Sequence, residues 1–153
     1  MRYLPIGLDL RGRICIVVGG GQIGTRKATN LLRAGADVTV VSPEATEDLV
    51  QLAQEKRLVW LKDAYKGVVL DGAFLAVAAT DDEVTNTRLV QDARAQGVLV
   101  CDASDASRSE VIFGALHHGE GVTVAVFTDG QDPSLARKTR DRIAALGGDW
   151  EEK

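Results

Sequence analysis

Three glycines, Gly19, Gly21 and Gly24, stand in the spacing G-x-G-x-x-G within VVGGGQIGTRKA, directly after the apolar run ICIVV. Alone, that spacing is weak evidence. Here a strand-like run precedes it and a helical pattern follows, which is the context a dinucleotide cradle needs. Gly19 permits the tight turn, Gly21 lets backbone approach a pyrophosphate, and Gly24 lets the helix pack close to the strand. The N–H groups that open the helix then face the phosphates. In such sites a ribose-binding Asp or Glu lies about 20 residues further on. The second strand here ends at Ser42, with Glu44 two residues later. Ser42 can exchange a hydrogen bond with a ribose hydroxyl, and Glu44 is placed to reach it. No arginine follows Ser42 to hold a 2′-phosphate, so the expected cofactor is NAD rather than NADP. Small residues in AATDD bring Thr80 and Asp81 to the other side of the cofactor. The alternative for Asp81 and Asp82 is a helix cap and a first-turn charge.

The elements that must position these residues follow from periodicity. Strands are expected at 14–18, 37–41, 58–61, 73–79 and 98–101, with helices at 22–33, over EATEDLVQLAQEK, and from a Thr80-Asp81 cap to Gly97. Short β-branched runs between amphipathic segments predict strands of a parallel sheet. Beyond Cys101 the pattern changes. A polar loop, SDASRSE, leads into a hairpin split by Gly119-Glu120-Gly121. Asp132-Pro133 opens a last helix as N-cap and N1. The fold class is therefore α/β: a Rossmann-like doubly wound parallel sheet, then a small β-hairpin-plus-helix dimerisation element. The expected domains are a nucleotide-binding unit at 1–110, the dimerisation and substrate-contact element at 111–146, and a tail at 147–153. The appendage is too small to bury its own faces, which predicts a homodimer.

Composition narrows the class. The 153 residues are 45% hydrophobic and 26% charged, an ordinary globular balance. No apolar run approaches the ~20 residues of a membrane span. MRYLPIGLDLRGR lacks the features of a signal peptide, which predicts a cytoplasmic protein. A net charge of −4 argues against nucleic-acid binding. Cys15 and Cys101 are the only cysteines, so neither a disulfide framework nor a metal site is expected. His117 and His118 are adjacent on a strand and point to opposite faces, so they cannot share one ion. Asp105 lies in a loop at the carboxyl end of a parallel strand, where open α/β sheets bind ligands. It reads either as a carboxylate base or as an Asx-turn residue.

The segments YLPIGLDLRGRICIVVGGGQIGTRKATNLLRAGADVTVVSPE, AFLAVAATDDEVTNTRLVQDARAQGVLVCDASD, VTVAVFTDG and DPSLARKTRDRI, in this order, resemble the siroheme synthase N-terminal module. The resemblance runs from Tyr3 to about Leu146. It implies a precorrin-2 dehydrogenase, which oxidises precorrin-2 to sirohydrochlorin with NAD⁺; some members add sirohydrochlorin ferrochelatase activity. It further implies that Gln22, Ile23, Pro43 and Glu44 bind the cofactor, and that Asp105 acts in dehydrogenation. The substrate's carboxylates then call for cations, with Arg108, Arg137, Lys138 and Arg140 as candidates.

Three departures stand out. Asp102 replaces a common Asn and adds a carboxylate beside Asp105. The hairpin reads Gly114-Ala115-Leu116-His117-His118, and Gly130-Gln131-Asp132-Pro133 stands where relatives carry Gly-x-Ser-Pro. Larger relatives continue into a helical domain, so a partner, a dimer mate or an open site is expected to compensate for the missing substrate cover, and dehydrogenation is expected without chelation. Two rival readings are a regulatory nucleotide-binding domain of the potassium-uptake type and a non-catalytic NAD-binding remnant. The first is disfavoured by Ser42 in place of an acid and by the Pro-Ser-Leu-Ala-Arg helix.

Overall fold

A computed structural model describes residues 1–119 and 121–146. The chain divides into two compact units, Gly7–Val111 and the segment Met1–Ile6 together with the chain from Ile112 on. The first six residues thus fall with the second unit, whereas the sequence pattern places them in 1–110.

The larger unit is a five-stranded parallel sheet of β1 (Ile14–Val18), β2 (Asp37–Val41), β3 (Val59–Leu61), β4 (Leu75–Ala78) and β5 (Leu99–Asp102), in the order β3-β2-β1-β4-β5. Three helices connect them: α1 (Gln22–Arg33), α2 (Glu47–Gln54) and α3 (Glu83–Ala95). The central strands are apolar on both faces because both faces are covered. Ile16, Val18, Ala76 and Ala78 pack with Leu89, Val90 and Ala93 of α3, while Cys15, Val17 and Val77 alternate with them and are equally buried. On the edge strand β3, Val59 and Leu61 stay largely exposed.

The first two strands and α1 match their sequence-based bounds. Elsewhere the ends move by one to three residues. Thr46 rather than the acidic run begins α2, because its hydroxyl accepts from the Leu49 N–H. Asp82 rather than Asp81 caps α3, accepting from the Val84 and Thr85 N–H groups. Two short 3-10 turns, Gly67–Leu70 and Ala106–Arg108, complete the unit.

In the second unit β6 (Ala115–His118) and β7 (Thr123–Val126) form an antiparallel hairpin, and α4 (Pro133–Ala145) packs on both strands. Asp132 caps α4 through the Leu135 N–H, with Pro133 at its start. The Tyr3 N–H donates to Asp129 Oδ1, attaching the N-terminal segment to this unit. The expected tail, 147–153, and Glu120 of the turn lie outside the described residues. Among the described residues no helix is long and apolar enough to cross a membrane.

Candidate active site

In the order β3-β2-β1-β4-β5, chain connections leave β1 and β4 in opposite directions, and the carboxyl ends of these two strands open a crevice. A cleft of about 620 Å³ sits there. Its walls include Gly19, Gly21, Gln22 and Ile23 from the glycine turn, Ser42, Pro43 and Glu44 after β2, and Thr80 and Asp81 after β4. The sequence-predicted cofactor residues therefore converge on one cavity, apart from Gly24, whose task is packing.

Each glycine has a distinct reason. Gly19 has φ +118, and a Cβ there would lie 2.2 Å from the Ala79 carbonyl oxygen, so the turn can cross the end of β4 only without a side chain. A Cβ on Gly24 would come 2.0 Å from the Gly19 carbonyl oxygen. At Gly21 a Cβ would meet nothing within 4 Å; the space beside it is open. Sequence reasoning passed over Gly20, where a Cβ would sit 2.1 Å from the Glu44 carbonyl oxygen. The loop after β2 lies that close to the glycine turn. The Thr46 N–H donates to the Gly20 carbonyl at 3.0 Å, and the Thr25 hydroxyl, 2.7 Å from that of Thr46, donates to the Gly21 carbonyl.

Two further observations test the cleft against a dinucleotide. The helices α2, α3 and α4 each carry a side-chain N-cap, whereas α1 has Gly21 at that position, no side-chain cap and no acid in its first turn. Its N-terminal N–H groups are thus left for an anion. Ser42 is 5% exposed and its Oγ has no hydrogen-bond partner, although its carbonyl accepts from the Trp60 indole. A buried hydroxyl without a partner is costly unless a ligand satisfies it. Both features fit a phosphate-and-ribose ligand.

Next to the cleft stands a second cluster. The Thr80 hydroxyl donates to Asn86 Oδ1 at 2.7 Å, and Asn86 Nδ2 returns a bond to the Thr80 carbonyl. Asn86 is 1% exposed on the apolar face of α3 and also reaches Ser104 Oγ at 3.4 Å. It was missed from sequence, although a polar residue in register with Leu89, Val90 and Ala93 is a readable signal. Asp102, at the end of β5, has a fully buried side chain. Its Oδ1 accepts from the Ser104 and Asp105 N–H groups and the Ser104 hydroxyl. Asp105 begins the 3-10 turn, with Oδ1 accepting from the Ser107 N–H at 2.8 Å. The Asx-turn reading of Asp105 therefore describes its local geometry.

Arg108 is engaged within this cluster. Its Nε lies 2.8 Å from Asp102 Oδ2 and 3.5 Å from Asp105 Oδ2, and its other nitrogens donate to Glu83, Thr87 and Ser104. The contact with Asp102 is an ion pair off the hydrogen-bond direction. The guanidinium is held charged first by the Glu83 hydrogen bond, then by the charges of Asp102, Glu83 and Asp105, against its own desolvation. In the second unit Arg137 and Lys138 are exposed on α4, and Arg140 donates to the Leu116 carbonyl. Burial raises the Cys15 thiol to about 11, which makes it a core residue and a poor nucleophile.

The fold and cleft define a dinucleotide-binding module of the doubly wound α/β class. The chain belongs to the family described as "Putative NAD(P)-binding", whose model matches residues 6–115. It is 40% identical over 146 residues to the siroheme synthase of Photorhabdus laumondii and 43% identical over 146 residues to that of Chromobacterium violaceum. In both cases the match covers 95% of this chain and 31% of the relative, so the chain spans about a third of their length. Among solved structures it is similar to "SirC, precorrin-2 dehydrogenase", with a TM-score of 0.81 and 27% identity, covering 94% of this chain and 71% of that one.

Proposed function

We propose that this chain oxidises precorrin-2 to sirohydrochlorin, with NAD⁺ as hydride acceptor. The observation that carries the reading is the likeness to a precorrin-2 dehydrogenase along 94% of the chain. The cleft agrees with it: an uncapped α1 and an unpaired Ser42 hydroxyl suit a dinucleotide. Glu44, at the cleft wall after β2, puts negative charge on the ribose side where a 2′-phosphate would have to enter, which favours NAD over NADP.

When bound, NAD⁺ would supply the hydride acceptor for the substrate. The chain's own residues do the rest. The α1 N-terminus and Gly21 hold the pyrophosphate, Ser42 and Glu44 the ribose, and Thr80 and Asp81 flank the opposite side. Loss of a hydride leaves positive charge on the substrate's conjugated system, and a proton must then leave. Asp105 is the carboxylate for both tasks: it stabilises that charge and accepts the proton. Exposed Arg137 and Lys138 on α4 receive substrate carboxylates. A homodimer, joined through the hairpin-plus-helix unit at 111–146, supplies the cover that so small a unit cannot provide alone.

The test is anaerobic incubation of the purified protein with precorrin-2 and either NAD⁺ or NADP⁺. Reduced nicotinamide and sirohydrochlorin should form in equal amounts, faster with NAD⁺. Tight NAD⁺ binding without turnover would leave a binding module and sink the enzymatic reading.

A further inference from the structure

The sequence offers Arg108 as a cation for the substrate's carboxylates. The structure gives that guanidinium other work. Nη1 donates to Glu83 and Thr87 and Nη2 to Ser104, while Nε makes ion pairs with Asp102 and Asp105 without a hydrogen bond. Its side chain is 21% exposed and that of Asp102 is 0%. The contacts come from three places, namely the end of β5, the first turns of α3, and the loop that carries Asp105. The same Asp102 carboxylate takes the backbone N–H of Asp105 on its other oxygen, at 3.2 Å. The Asp105 backbone is therefore hydrogen-bonded to Asp102, and its carboxylate lies in ion-pair range of Arg108 Nε at 3.5 Å.

We propose that Arg108, backed by buried Asp102, is a positioning residue that fixes the Asp105 carboxylate and does not itself bind substrate. This rests on the reading of Asp105 as the working carboxylate. Planar, forked geometry explains why arginine stands here: one lysine ammonium cannot span carboxylates on β5, on the loop and on α3 at once. A shift of about 1 Å in a positioned group costs ~100-fold in rate, which sets the size of effect to look for.

Removing Arg108 alone strands a buried charge on Asp102 and threatens the fold. The informative variant is the double change Asp102→Asn with Arg108→Gln. It removes both charges and leaves an Oδ1 acceptor for the Ser104 and Asp105 N–H groups. Thermal melting and NAD⁺ affinity should stay near wild type. The kcat should fall at least tenfold, with KM for precorrin-2 within about twofold. Glu83→Gln, which loosens only the outer end of the fork, should lower kcat less and in the same sense. A double variant with wild-type kcat overturns the inference, since Arg108 would then serve only to neutralise Asp102. A raised KM with kcat intact also overturns it and returns Arg108 to substrate binding. Asp105→Asn, measured alongside, separates the two levels. If it turns over normally, the reading of Asp105 fails and takes the inference with it. If it is inactive while the double variant is normal, the inference alone fails.

Discussion

The glycine turn and the loop from Asp102 to Ser109 sit at the ends of strands in one parallel sheet, yet they are built on opposite plans. At the glycine turn, shape comes from what is missing. Side chains are absent at 19, 20 and 24 because backbone passes too close, and α1 and Ser42 keep polar groups without partners. At the second loop, shape comes from what is present: Asp102, Ser104, Asp105 and Ser109 exchange hydrogen bonds, and Arg108 Nε sits against Asp102 and Asp105 as an ion pair without a hydrogen bond. The first plan leaves open space beside Gly21, an uncapped helix start and an unpaired hydroxyl. The second fixes one carboxylate against a charged background.

The comparison can be broken most forcefully at Gly24. Glycine to alanine inside a helix ordinarily stabilises by ~1 kcal/mol. Here the added methyl meets a backbone oxygen, so Gly24→Ala should destabilise by about 3 kcal/mol or more in a denaturant melt. A neutral effect would mean that the turn is looser than described. Gly21→Ala should do the reverse. With open space beside it, stability should change by less than ~1 kcal/mol. The Kd for NAD⁺ in a calorimetric titration should nevertheless rise at least tenfold, ~1.4 kcal/mol. Equal losses in fold and binding would erase the distinction between packing and ligand glycines.

Ser42→Ala sharpens the point about vacant partners. Its Oγ makes no hydrogen bond in the free protein, so the melting temperature without ligand should not fall. NAD⁺ binding should weaken by ~3- to 10-fold, the worth of one hydrogen bond. The smallest effect is expected at Asp82, which caps α3 and marks the border between the two regions. Hydrogen bonds from the Thr85 hydroxyl and N–H, and from the Val84 N–H, hold its carboxyl below the ordinary 3.8, against desolvation. A depressed folded value stabilises above the unfolded pKa and is lost as pH falls through the folded one. Asp82→Ala should therefore melt slightly below wild type at neutral pH, and the two curves should converge below pH 3.8.

The strands of the parallel sheet and the glycine turn were legible because each rests on local pattern: buried β-branched runs, helical periodicity, glycine where backbone crowds. Ser42, Glu44 and Thr80 were legible for a related reason, since a parallel strand's carboxyl end fixes where its next residues fall. What stayed hidden depends on contacts between distant segments. Two neighbouring aspartates, 81 and 82, have equal capping propensity, and the Thr80 hydroxyl, which accepts from the Asp82 N–H, settles the choice. Gly20 looks like a spacer until the loop after β2 lies against it. Arg108 looks like a free cation until the fold places Asp102, Glu83 and Asp105 around it.

In the proposed mechanism the glycine turn binds NAD⁺ and the Asp105 loop does the chemistry. This division is tested most directly by anaerobic single turnover of NAD⁺-loaded Asp105→Asn with precorrin-2, beside wild type. NAD⁺ affinity should be unchanged and NADH formation slowed by ~10²- to 10⁴-fold, the range for a lost general base. NADH formed at the wild-type rate would contradict it.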